Sequence, residues 1–185
     1  MPIYVDIINK ILSIGTIIIQ LIIILLVSNL IFARNRSNKT LIFFKRYTFI
    51  FGFLIALGAV VTSLFYSQIV GYPPCELCWI QRIFLYPQLV LFGMELYKKD
   101  RSIVDFSIAF ASLGSLTSLY HIYIENGGTS SLSCATLNPT STTEVSCAIR
   151  YIYEFGYVSM PVMALTLSLF IISILLNYKY ISRLN

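Results

Sequence analysis

At 185 residues the chain has the length of one ordinary domain, yet it is 57% hydrophobic and only 11% charged; a soluble domain carries roughly 25% charged residues. So few charges cannot cover a globular surface, and the bilayer is therefore read as the solvent. The net charge of +5 does not indicate nucleic acid, because the basic residues fall in short stretches between apolar runs and form no basic face.

Five apolar runs reach the ~20 residues a membrane-crossing helix needs: Ile11–Phe32, Tyr47–Val70, Trp79–Tyr97, Ile103–Ile124 and Val158–Tyr178. Backbone groups in hydrocarbon must pair within their own segment, so each is expected to be an α-helix. The first run follows Met1–Lys10, which holds Asp6 and a single lysine. A secretory signal has a basic start and a shorter apolar stretch of about 7–15 residues, so this helix is expected to be retained. The first connection carries Arg34, Arg36, Lys39, Lys45 and Arg46. Tyr72-Pro73-Pro74 then stops any helix before the third run. Lys98, Lys99 and Arg101 follow that run, and Lys179 and Arg183 end the chain's last one. With five spans these basic clusters fall on one side, expected to be the cytoplasm. The N-terminus, the Gly71–Cys78 turn and the Glu125–Tyr157 loop fall on the other. No internal repeat and no Gly/Ser linker divides the chain.

Cys75, Cys78, Cys134 and Cys147 are all the cysteines. The topology puts them on the extracytoplasmic side, where disulfides persist. Four cysteines allow three pairings, of which Cys75–Cys78 with Cys134–Cys147 is the simplest. Cys75 and Cys78 are expected in the first turn of the third helix, where unpaired N–H groups and the helix dipole favour a thiolate. Arg82 follows Cys78 by four residues, on the same helical face. Arginine at that depth is costly and is read as functional, stabilising a thiolate or a negatively charged carbonyl oxygen of a lipid-soluble acceptor; the bland reading is an interfacial anchor. Cys134 and Cys147 lie in a Gly-, Ser- and Thr-rich loop, where a disulfide either ties the loop or stays open to attack by a thiolate. A four-thiolate metal site fits the first pair's spacing only, and no histidine lies near the cysteines in sequence, so no metal is expected. His121, the only histidine, is expected at about the depth of Arg82. There it either hydrogen-bonds at the interface or donates to a reduced acceptor.

The segment Pro73-Pro74-Cys75-Glu76-Leu77-Cys78-Trp79-Ile80-Gln81-Arg82-Ile83-Phe84-Leu85-Tyr86-Pro87 resembles the signature of the disulfide bond formation protein B (DsbB) family, most of all the branch called BdbC. Leu119-Tyr120-His121 and Phe155-Gly156-Tyr157-Val158-Ser159-Met160-Pro161 are further matches. The resemblance implies an all-α integral membrane protein: a four-helix transmembrane bundle over 47–185, with an extracytoplasmic loop 125–157. Residues 1–46 would add one extra N-terminal transmembrane helix and a basic cytoplasmic loop. It further implies a bacterial plasma-membrane enzyme that reoxidises a soluble DsbA-like thioredoxin-fold thiol oxidase. Electrons would pass to a membrane quinone, ubiquinone or menaquinone. A DsbA–DsbB–quinone chain keeps the bacterial periplasm oxidising. Cys75 and Cys78 would be the quinone-coupled pair, with Cys78 and Arg82 facing the quinone and His121 at its headgroup. Cys134–Cys147 would be the disulfide the partner attacks.

Two alternatives compete. One is a non-enzymatic membrane scaffold with structural disulfides. The other is a quinone reductase resembling vitamin K epoxide reductase, whose C-x-x-C pair is expected towards the end of the bundle, whereas this one opens the third of five helices.

Overall fold

A computed structural model describes residues 3–32, 39–98, 103–128 and 146–184. Its regular elements are helices: α1 (Ile3–Phe32), α2 (Lys39–Leu64) extended by a π-helical turn (Phe65–Ile69), α3 (Glu76–Lys98), α4 (Ile103–Glu125) and α5 (Met160–Leu184). All five helices are long and apolar enough to cross a membrane. Strand pairing among the described residues is one isolated bridge, Glu154–Val158.

The helices overrun the apolar stretches that announce them, because hydropathy marks the hydrocarbon layer and not the end of the hydrogen-bond ladder. α1 starts at Ile3 rather than Ile11, and an exposed Asp6–Lys10 pair at 3.1 Å joins successive turns of the added length. α2 starts at Lys39 rather than Tyr47, and α3 at Glu76 rather than Trp79. The carbonyl of Cys75 accepts the Trp79 N–H at 3.1 Å. Cys75 is thus the residue that caps α3, and Cys78 lies inside its first turn. α5 starts later than expected, at Met160, because residues 154–158 form a tight reversal with Phe155 at φ 52° and Gly156 at φ 78°.

α2, α3, α4 and α5 close into a ring, each packed on two neighbours, and α1 lies outside it against α5. Lipid is as apolar as leucine, so close packing and polar contacts must hold such helices together. α4 accordingly buries Ser107, Ala111, Gly114, Ser115 and Ser118 on one face. Gln88 of α3 donates to the Ser107 carbonyl at 2.8 Å. α2 meets α3 at Gly52, where a Cβ would lie 2.4 Å from the Phe92 ring; only glycine allows that approach. At the end of the bundle away from the cysteines, Asn177 donates to the Leu41 carbonyl at 3.2 Å and Lys179 pairs with Asp105.

α1 is fastened by polar side chains. Asn9, Ser13 and Thr16 are buried, and with Gln20 they recur at intervals of four, three and four, which is one helical face. The Tyr66 hydroxyl donates to Asn9 Oδ1. Gln20 donates to Thr166 Oγ1 of α5 at 3.1 Å and accepts from the Tyr157 hydroxyl at 2.9 Å.

Candidate active site

The chain enters the site through the π-helical turn, closed by Val70 N–H donating to the Phe65 carbonyl at 3.1 Å. Gly71 at φ 80° supplies the left-handed residue that turns the backbone out of the helix. Tyr66, Tyr72 and Tyr151 then stack, with ring centroids 6.0 and 4.6 Å apart and interplanar angles of 6° and 19°.

Cys75 and Cys78 are thiols whose sulfurs lie 2.9 Å apart. His121 of α4 brings Nε2 to 3.8 Å from the Cys75 sulfur and 3.3 Å from the Cys147 carbonyl oxygen. The Gln81 amide nitrogen sits 3.3 Å from His121 Nδ1. An amide nitrogen only donates, so it fixes Nδ1 as acceptor and leaves the ring proton on Nε2. That proton faces the Cys75 sulfur and the Cys147 carbonyl.

Cys147 is disulfide-bonded and 2% exposed, packed with Cys75, Leu77 and Ile124. Cys134 lies outside the described residues. The segment that follows the loop is packed down, with Cys147, Ile152 and Val158 all buried. Arg150 holds the segment to the end of α4, donating to the Glu125 carbonyl at 2.9 Å and to Asn126 Oδ1 at 2.8 Å. Ser159 donates to Glu125 Oε2 at 2.6 Å.

Arg82 reaches from α3 to α2. Its Nε donates to Ser63 Oγ at 2.8 Å and its Nη2 to the Ser63 carbonyl at 3.1 Å. The guanidinium also lies over the Trp79 ring, 5.0 Å from the centroid. Arg82 and Cys78 share the wall of a cavity of about 470 Å³. A second, small cavity is lined by Cys75, Cys78, His121, Glu125 and Cys147. Cys78 therefore faces both spaces. His121 lines the small cavity, on the Cys75 and Cys147 side, and not the large one beside Arg82.

The ligand atoms of Cys75, Cys78 and His121 lie within 4.8 Å of one another. They are soft donors of the zinc-binding type, three of the usual four. Distance along the chain hid this cluster, which exists only because α3 packs on α4. Sequence reasoning also missed Gln81, which stands in the quoted motif beside Arg82. Ser63 and Tyr151 carried no signal, since their part depends on contacts between distant segments.

The thiol of Cys75, just outside the α3 span, is pulled down to about 4. The hydrogen bond from the Cys78 thiol is the largest cause; burial opposes it, and the hydrogen bond from His121 adds to it. A lowered value keeps the thiolate at every pH above it. Alkylation of Cys75 in the reduced protein should thus persist well into acid and fade only as pH falls through about 4. In Cys78→Ala the fading should move to higher pH. Mass-spectrometric labelling across pH tests this, and loss of labelling already near neutrality would contradict it.

The family model for disulfide bond formation protein DsbB matches residues 45–177. The chain is 33% identical over 139 residues to "Probable disulfide formation protein C 2" of Bacillus anthracis, covering 75% of this chain and 94% of that protein. It is 37% identical over 125 residues to "Probable disulfide formation protein C" of Halalkalibacterium halodurans, covering 66% and 88%. It is 39% identical over 107 residues to "Probable disulfide formation protein C 1" of Bacillus anthracis, covering 58% and 73%. No solved structure matches the chain.

Proposed function

The chain belongs to the DsbB family, as a multi-pass membrane thiol oxidoreductase of disulfide formation, and from that premise we propose that it oxidises a soluble dithiol partner and reduces a membrane quinone. The observation that carries this reading is the position of Cys78, whose side chain lines both the cavity shared with Cys147 and the cavity shared with Arg82.

The large cavity fits a quinone. Its volume lies within the ~300–1,000 Å³ of small-molecule sites, its lining is mostly apolar, and its polar groups include a thiol and a guanidinium at one end. Cys78, Arg82, Tyr66 and Tyr72 would hold the headgroup. A bound ubiquinone or menaquinone accepts two electrons and two protons.

The partner is a DsbA-like thioredoxin-fold thiol oxidase in its reduced form. With Cys75 and Cys78 as thiols and Cys147 bonded, Cys134 is the cysteine that remains to pair with Cys147. Cys147 is buried, so the partner thiolate attacks at Cys134, and Cys147 leaves as the thiolate. The second partner thiol breaks the mixed disulfide, releasing the partner oxidised and the loop as a dithiol. Cys147 then attacks the Cys75–Cys78 disulfide at Cys75, expelling Cys78. Cys134 resolves the Cys75–Cys147 bond, which restores the loop disulfide. The Cys75–Cys78 dithiol is left holding the two electrons and two protons that came from the partner. His121 positions the two sulfurs that must meet, because Nε2–H addresses both Cys75 and the Cys147 backbone. The cysteine end of the bundle is extracytoplasmic. The end bearing Lys45, Arg46, Lys98, Lys179 and Arg183 is cytoplasmic, in a bacterial plasma membrane.

Purified protein in detergent, supplied with quinone and a reduced thioredoxin-fold dithiol protein, is expected to bleach quinone absorbance in step with partner oxidation. An ordered bundle that leaves both unchanged would return the cysteines to a structural role.

A further inference from the structure

α1 lies outside the residues that match the family, which begin at 45, yet it walls the large cavity through Ile11, Gly15 and Ile19. Across the space stand Leu54 and Gly58 of α2. A Cβ built on either glycine meets no atom within 4 Å. The two helices are joined at the cysteine end by the Asn9–Tyr66 hydrogen bond. At the other end Leu26 and Leu41 belong to one buried cluster. Between these closures α1 packs on α5, and the missing side chains of Gly15 and Gly58 leave a window.

The window is apolar and continuous with the space that holds Cys78 and Arg82. Ile11 and Leu54 beside it are 62% and 55% exposed, on helices that face lipid. Along α2 the cavity runs from Tyr66 to Leu54, about 18 Å at 1.5 Å per residue. That is longer than a quinone headgroup needs and has the direction of a chain leaving for the bilayer.

We propose that α1 and α2 form a channel for the prenyl tail of the acceptor, with Gly15 and Gly58 providing its width. The extra helix is then a substrate-binding element that selects acceptors by their tails. This rests on the quinone reading above, and its test separates the two.

The test uses the full chain with one headgroup in two forms, tailless and prenylated. Gly15→Leu is expected to raise KM for the prenylated quinone about tenfold or more, the scale at which apolar pockets reject misfitting carbon. Its kinetics with the tailless quinone should stay unchanged, which also shows that the variant folds. Gly58→Leu on the facing helix should repeat the pattern. In the unaltered protein a prenyl chain with a photoreactive end should label α1 around Gly15. Equal slowing of both quinones would make α1 a purely structural helix and overturn the proposal. Unchanged KM for both, with no labelling of α1, would leave the window to bilayer lipid and overturn it too. An unaltered protein that reduces neither quinone removes the parent reading, and the channel with it.

Discussion

Cys78→Ser is expected to leave the bundle folded and to lower quinone reduction by at least about a thousandfold, the scale on which loss of a nucleophile acts. Serine fits the space of the thiol but neither forms a disulfide nor gives up electrons. Among the described residues Cys78 is the only cysteine that lines the large cavity, and no other described thiol can take its place. Its chemical trace should be specific. Cys75 remains, packed with Cys147, and its thiolate is free to attack the loop disulfide at that sulfur. A Cys75–Cys147 bond should therefore accumulate while Cys134 becomes a labelled thiol. Non-reducing peptide mapping reads both. Retained turnover would exclude Cys78 from the electron path.

Arg82→Gln should have the second-largest effect, a roughly 10- to 100-fold loss in kcat/KM for the quinone, as expected when a charge-assisted hydrogen bond worth about 1.5–3 kcal/mol is removed. The guanidinium is held from α2 by two bonds to Ser63 and rests on the Trp79 ring. Its charge is therefore already in place where negative charge develops on quinone oxygen or on sulfur, and little reorganisation is needed. Oxidation of the partner by the loop disulfide, followed in a single turnover without quinone, should be unaffected. Arg82→Lys should recover only part of the loss, since an ammonium cannot reproduce the two-pronged hold on Ser63. Equal damage to both half-reactions would mean that Arg82 only braces the bundle.

Much of this was legible in the sequence. Long apolar runs announce membrane helices whatever their neighbours, and five were found. Arg82, one turn below Cys78, followed from helical spacing alone. The helix ends were less legible, because the ladder continues through Lys39 or Asp6 once it has left hydrocarbon. His121 was singled out, but its partners were not, since Cys75, Gln81 and the Cys147 carbonyl meet it only through the packing of α3 on α4 and the return of the loop. The polar face of α1 was there to be read. Asn9, Ser13, Thr16 and Gln20 are a periodic exception within an otherwise Ile- and Leu-rich run, and that pattern marks a helix with a fixed partner.

That face has a mechanical consequence. The apolar run of α1, Ile11–Phe32, spans about 33 Å at 1.5 Å per residue, close to a hydrocarbon layer of about 30 Å. In a thinner or thicker bilayer a lone helix tilts or slides until it suits the new thickness. α1 has little such freedom, because its bonds to Tyr66 and Thr166 lie eleven residues apart on one face. A slip of one residue rotates the helix by about 100° and breaks both. Where the thickness changes, lipid rather than α1 must adjust, and the position of the dithiol relative to the helices around it is set by the protein.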